Sequence, residues 1–188
     1  SGPSDHSRTI SAYASLMRAN IARARGDIAG CTEFSRQALA ILSPQEVVRR
    51  SVSTFGSALI FRVTGDVGPA NEQMVAEAVA STRRVGNLLT LFNALLAMAE
   101  FQWMQGRLRQ AADTYRQASE VNPQLFALHG LTNGASYYCG LGGLLYEWND
   151  LDASEAHLRQ GQEMIQRGLQ THGDVVTSGY ITLARLQQ

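Results

Sequence analysis

Two rings and two carboxylates stand close together in pairs along this chain, Glu100 with Trp103 and Tyr146 with Glu147. Rings stack on ligand faces and carboxylates orient hydroxyls, so the set suits a sugar-like or nucleoside-like molecule, or a peptide. Arg62 and Arg185 flank it and favour anionic substituents. Other chemistry finds few parts. His6, His129, His157 and His172 are scattered, with no HExxH and no carboxylate at helical spacing, so no metal site is expected. No GxSxG elbow is present and no strand pattern carries one, so no catalytic residue is assigned. Cys31 and Cys139 read as buried structural thiols of a reducing compartment. Gly140-Leu141-Gly142-Gly143 lies inside an apolar helical stretch, where close helix packing explains it better than a phosphate cradle.

Composition narrows the classes further. All 16 cations are Arg, balanced by 16 acids, and the net charge is zero. Without lysine there is no GxxxxGK loop, no Schiff base and no kinase lysine, and no cofactor is implied. A neutral chain also lacks the basic footprint of nucleic-acid or membrane binding. Arg49-Arg50 and Arg83-Arg84 read as solvated helix faces. Apolar residues make up 45% of the chain against only 4 Pro, which favours helix over tight-turned β structure. The most apolar stretch, Leu88 to Ala99, is interrupted by Thr90 and Asn93 and closed by Glu100, too short and polar to span a bilayer. With no signal peptide, the expected location is cytoplasmic. Ser1-Gly2-Pro3 reads as an expression scar, residues 1–7 as an added or disordered start, and 8–188 as one domain excised from a longer protein.

A repeat must position the candidate residues. Gly26-Asp27-Ile28, Gly65-Asp66-Val67, Gly106-Arg107-Leu108 and Asn149-Asp150-Leu151 are spaced by 39, 41 and 43 residues, a period used by stacked helical hairpins. Seven residues before each signature sits Ala19, Ala58, Ala99 or Gly142, small enough for two helices to cross closely. After each come Cys31, Ala70, Ala111 or Ser154, then Ser35, Met74, Tyr115 or Leu158, expected to face the partner helix. Ala38, Ala118 and Gly161 follow, but the second repeat offers Glu77 there with Ala78 one place late, a slip of one position.

Ser43-Pro44-Gln45-Glu46 is a capping box with Pro at the first helical position, and Asn122-Pro123 marks another junction. The spacing predicts helices near 8–25, 28–42, 44–64, 69–85, 88–105, 108–120, 125–148, 151–170 and 174–187, and no strand. The expected fold is all-α: a right-handed superhelix of about four tetratricopeptide-like hairpins plus a terminal half-repeat led by Ala184. Its concave groove would be lined by the first helix of each hairpin. Asn20 and Arg23, Phe55 and Arg62, Asn93, Glu100 and Trp103, Tyr146 and Glu147, and Arg185 share that face. Two alternatives stay open: Trp103 and Tyr146 fill the core between hairpins, or Arg62 and Glu100 form a structural ion pair.

Leu144 to Leu151 (LLYEWNDL) with Ala153, Glu155-Ala156 and His157-Leu158, Gly106 to Tyr115 (GRLRQAADTY) and Gly86-Asn87-Leu88-Leu89 are more particular than a generic repeat. From about residue 10 the chain resembles the tetratricopeptide-like sensor region of MalT-like, ATP-dependent LuxR-family transcriptional regulators. That resemblance implies a non-catalytic module that senses a small effector or docks a protein segment, with ATPase and DNA-binding domains elsewhere in the parent chain. Its partners would be the effector or segment and those neighbouring domains, without direct nucleic-acid contact. Similar repeats also lie behind kinase or cyclase domains, where the module would be a protein-interaction scaffold. Ile181, Leu183 and Leu186, lacking a following helix, are expected to be uncovered and to promote self-association or fraying.

Overall fold

The computed structural model describes residues 5–25, 27–42, 56, 58–121, 134–166 and 173–186. Its helices are α1 (Asp5–Ala24), α2 (Ile28–Ile41), α3 (Phe61–Thr64), α4 (Pro69–Val85), α5 (Leu88–Met104), α6 (Leu108–Val121), α7 (Gly134–Glu147), α8 (Leu151–Gln166) and α9 (Gly173–Leu186). No strand occurs among the described residues, and none of these helices is long and apolar enough to cross a membrane. Boundaries predicted from spacing agree to within three residues wherever both ends are described. The capping box at Ser43, most of the helix expected at 44–64 and the first part of that at 125–148 lie outside the described residues. The chain divides into two compact units, Ser1–Ala94 and Leu95–Gln188, with α5 running through the boundary.

In the first unit α1 and α2 form an antiparallel hairpin, its open end tied by Arg8 Nη2 donating to the Ile41 carbonyl at 3.1 Å. Ala12, Ser15, Leu16, Ala19 and Ala22 line the buried side of α1, against Cys31, Ser35, Ala38 and Leu42. Small residues dominate because the helices meet closely, so dispersion contacts come from backbone as much as from side chains. On α4 the buried stripe is Val75, Ala78 and Thr82, the last satisfying its hydroxyl on the Ala78 carbonyl at 2.8 Å.

In the second unit Thr114 Oγ1 on α6 donates to Gln102 Oε1 on α5 at 2.8 Å. In the α7–α8 hairpin side chains of one helix meet the backbone of the other. Ser154 Oγ donates to the Gly142 carbonyl at 2.8 Å, and a Cβ placed on Gly142 would come within 2.7 Å of Leu158 Cγ. Against α7 and α8 lies α9, with Gly179 beside Cys139. This packing buries Leu183 and half-buries Leu186, contrary to the expectation that both are uncovered, while Ile181 and Ala184 are exposed.

The repeated signature is a turn with a fixed job. Gly65, Gly106 and Asn149 all adopt the left-handed conformation, with φ of 68°, 74° and 59°. Three hairpins close their first helix with a bond that reaches back five residues: Asp27 N–H to Ala22, Arg107 to Gln102, and Asp150 to Leu145. Asp27 then caps α2, its carboxylate accepting from Gly30 N–H at 2.8 Å. The second repeat ends differently. Gly65 N–H bonds Phe61, Asp66 N–H turns to Thr64 Oγ1, and Asp66 Oδ1 accepts from Gly68 before Pro69 opens α4. That turn is one residue longer. The whole of α4 is therefore shifted by one place: Ala70 and Glu77 are exposed, and Val75 and Ala78 take the buried positions expected for Met74 and Glu77. Ala70 does not face its partner helix; Cys31, Ala111 and Ser154 are buried as expected.

Adding one methyl at the α7–α8 crossing should overpack it. Gly142→Ala is expected to cost about 1–3 kcal/mol, and Ser154→Ala about 1 kcal/mol for the buried hydrogen bond. Urea denaturation followed by circular dichroism measures both, and unchanged midpoints would show that this crossing is slack.

Candidate functional site

Counting from the small crossing residue of each first helix, Arg62, Trp103 and Tyr146 occupy the same place, four residues on, and all three are half-buried. Asn20, Glu100, Gly143 and Arg185 occupy another, one residue on. In the first unit Asn20 is exposed, Asn93 is half-buried, and the Arg62 guanidinium lies 5.9 Å from the centre of the buried Phe61 ring. Arg23 lies on α1 with its side chain outside the description, and Phe55 is outside the described residues.

The second unit brings its candidates onto α5, α7 and α9. The edge of the Trp103 ring rests on α7, since a Cβ on Gly143 would lie 2.5 Å from it. Trp103 therefore fills space between adjacent hairpins, one of the two roles its position allows. By the same register Arg185 stands to Tyr146 as Gly143 stands to Trp103. There the place is taken by an exposed Arg, with the exposed Glu147 next along the chain. Trp148, which the sequence offers only within the LLYEWNDL segment, is one of the more exposed rings of the unit. Its signal was its position at the helix end, past the last buried turn.

Behind this face lies an aromatic core. Tyr115 meets Tyr137 edge-on at 6.0 Å, Tyr137 meets Tyr138 edge-on at 5.2 Å, and Tyr138 stacks on His157 at 5.8 Å. Burial raises the phenol of Tyr137, with a hydrogen bond to Ser119 partly offsetting it, and burial also raises that of Tyr138. Burial pushes the Cys139 thiol up to about 11, where it stays protonated and inert. His157 is held below the ordinary imidazole value by burial, and its buried Nδ1 has no hydrogen-bond partner among the described residues. These groups serve packing. Among the described residues no three His, Cys, Asp or Glu side chains gather as metal ligands would.

Residues 12–188 match the family described as the MalT-like TPR region. The chain belongs to that family. Five chains of known structure match as well. Among them, BtubC (BKLC) from P. vanneervenii is 18% identical and superposes with a TM-score of 0.69 over 89% of this chain and 68% of that one. At such identity the likeness shows the helical-repeat fold. No curated protein matches. The MalT-like TPR region thus accounts for the repeat positions, and the residues that depart from them carry the individuality of this member.

The half-buried imidazole has a consequence in pH. Its folded value is lowered from 6.5, so the unfolded chain takes up a proton that the folded chain refuses; stability present above 6.5 is lost as pH falls through the folded value. Melting temperature is expected to drop as pH falls below 6.5. His157→Phe, which keeps a ring against Tyr138, should flatten that part of the profile. An unaltered slope in the variant would assign the titration to another group.

Proposed function

We propose that this MalT-like TPR region is a non-catalytic sensing or docking module of a cytoplasmic LuxR-family regulator, and that its ligand is held on the first-helix face of the second unit. Tyr146 supplies a ring, Glu147 an acceptor for hydroxyls, and Arg185 a planar cation for a carboxylate or phosphate. The observation that carries this reading is the exchange of Gly143 for Arg185 at one register. In the third repeat the glycine lets a ring close the gap, whereas the place that corresponds to Gly143 in the next register holds an exposed arginine, and Tyr146 is half-buried. Glu100, half-buried one turn before Trp103, borders the same face, while Asn20, Arg62 and Asn93 belong to the corresponding face of the first unit. The exposed Met104, Trp148 and Leu151 favour a protein segment as the second reading, which is the form a scaffold role would take.

A thermal-shift panel of sugars, nucleosides, nucleotides and short acidic peptides, followed by calorimetry of any stabilising compound, tests the assignment. Tyr146→Ala and Arg185→Ala are expected to weaken binding by about 1–3 kcal/mol each without loss of helix content. Gln117→Ala, on the exposed side of α6, should leave it unchanged. Binding that survives both site variants would remove the proposed face. Turnover of ATP by the purified chain would contradict the non-catalytic reading.

A further inference from the structure

Trp148 stands where nothing in the repeat asks for a ring. It directly follows α7, Leu151 opens α8, and each is 44% exposed. Only Asn149 and Asp150 separate them, which keeps their Cα atoms within about 11 Å. Counted from the crossing residues Ala19, Ala58, Ala99 and Gly142, the place of Trp148 is held in the other repeats by Arg25, Thr64 and Gln105. The first two are exposed and the third is half-buried. Polar residues thus fill this place where the repeat continues, and cover by a following hairpin does not call for an indole there.

The turn is held by its own backbone. Trp148 N–H bonds the Leu145 carbonyl at 3.1 Å, Asn149 N–H bonds Tyr146 at 2.9 Å and Asp150 N–H bonds Leu145 at 3.0 Å. Little conformational freedom is left to lose when something docks. The charge around the ring is of one sign. Glu147, Asp150 and Asp152 are exposed, and among the described residues no cation pairs with any of them. The next arginine along the chain, Arg159, is already bound by Glu155. This sign is not imposed by the repeat, since Arg107 and Arg109 hold the places of Asp150 and Asp152 in the α5–α6 turn. Asp150 also accepts from Ala153 N–H, and Asp152 suits the N-terminus of α8, but neither task involves the ring.

An indole beside an aliphatic side chain, bordered by carboxylates, is the complement of a cation on an apolar stem. Tryptophan is the best ring for a cation, and a planar guanidinium can lie on it while bonding carboxylates at its edge. We propose that the α7–α8 turn docks a segment of another protein that carries arginine beside a leucine-like residue. The guanidinium lies on Trp148 with Asp150 and Asp152 around it, and the aliphatic side chain covers Leu151. This gives the second reading above its partner. It stands apart from the ligand face, because Tyr146 and Arg185 take no part and only Glu147 borders both.

Fluorescence anisotropy of a labelled peptide of about six residues, alternating leucine and arginine, reads the contact when the intact chain is added up to about 1 mM. Saturable binding is expected, at least about tenfold tighter than for the glutamate counterpart of the peptide or for labelled spermine. Trp148→Ala should weaken it at least about tenfold, with Trp148→Phe in between, and Asp152→Arg at least about threefold. Gln117→Ala should leave it unchanged. Helix content should survive at Trp148 because the side chain is exposed; if it does not, Asp152→Arg decides alone. No binding up to about 1 mM overturns the proposal, as does equal affinity for the glutamate peptide or for spermine. Binding that ignores Trp148→Ala or Asp152→Arg overturns it too. Binding lost in Tyr146→Ala but kept in Trp148→Ala would move the peptide to the ligand face, overturning this surface while sparing the proposed function.

Discussion

The second unit depends on an absence: at three positions inside α7, beyond its first residue, there is no side chain, and a different neighbour leans on each. Tyr115 of α6 lies over Gly140, Leu158 of α8 over Gly142 and Trp103 of α5 over Gly143. A helix of this kind gives up propensity, since each glycine costs about 1 kcal/mol relative to alanine in a helix interior. The close approach offsets it with ring and leucine contacts made directly on backbone, and with the Ser154 bond to the Gly142 carbonyl. Because close-packed interiors respond to a single methylene, the three seats couple α7 to its surroundings more tightly than a leucine-lined helix would. In the first unit alanine at position 19 and cysteine at 31 play a milder version of this part, both buried at a narrow crossing.

Most of the fold was legible because turn and helix obey separate local rules. A residue that tolerates positive φ ends each first helix, a short polar residue often begins the second, and apolar spacing fills the interval. The misplacement of Ala70 has a physical cause in the turn after Gly65, where Asp66 hydrogen-bonds within the loop and delays α4 by one residue. Nothing in apolar spacing reveals which of two closing patterns a glycine adopts. Trp103 shows a second limit. A ring at the end of a helix faces either ligand or neighbour, and Gly143, forty residues away in the chain, decides in favour of contact with α7. The two-sided apolarity of α1 is a third case, since periodicity marks both Leu16 and Met17 as apolar without saying which one is covered.

Membership in the MalT-like TPR region explains why the small and left-handed positions are filled as they are, and it leaves the rest of each repeat free to vary. The informative residues are those where a position that is small or glycine in one repeat is large or charged in another. Arg185 in the place of Gly143 is of this type. It disturbs stacking locally, which a repeat with nearest-neighbour contacts tolerates without losing the fold.

The outer faces of the second helices carry Glu33 with Arg36, Asp113 with Arg116, and Glu155 with Arg159, at 2.8, 2.7 and 2.5 Å. Such exposed pairs add little stability. Their effect is on the surrounding electric field: charge is cancelled within one turn of helix, on a chain whose net charge is zero. Little potential then reaches past the Debye length of about 10 Å in moderate salt. A chain without net charge has no overall field to draw molecules in from a distance, and an unsteered encounter runs at about 10⁵–10⁶ M⁻¹s⁻¹. Whatever this protein recognises, it selects after collision rather than before.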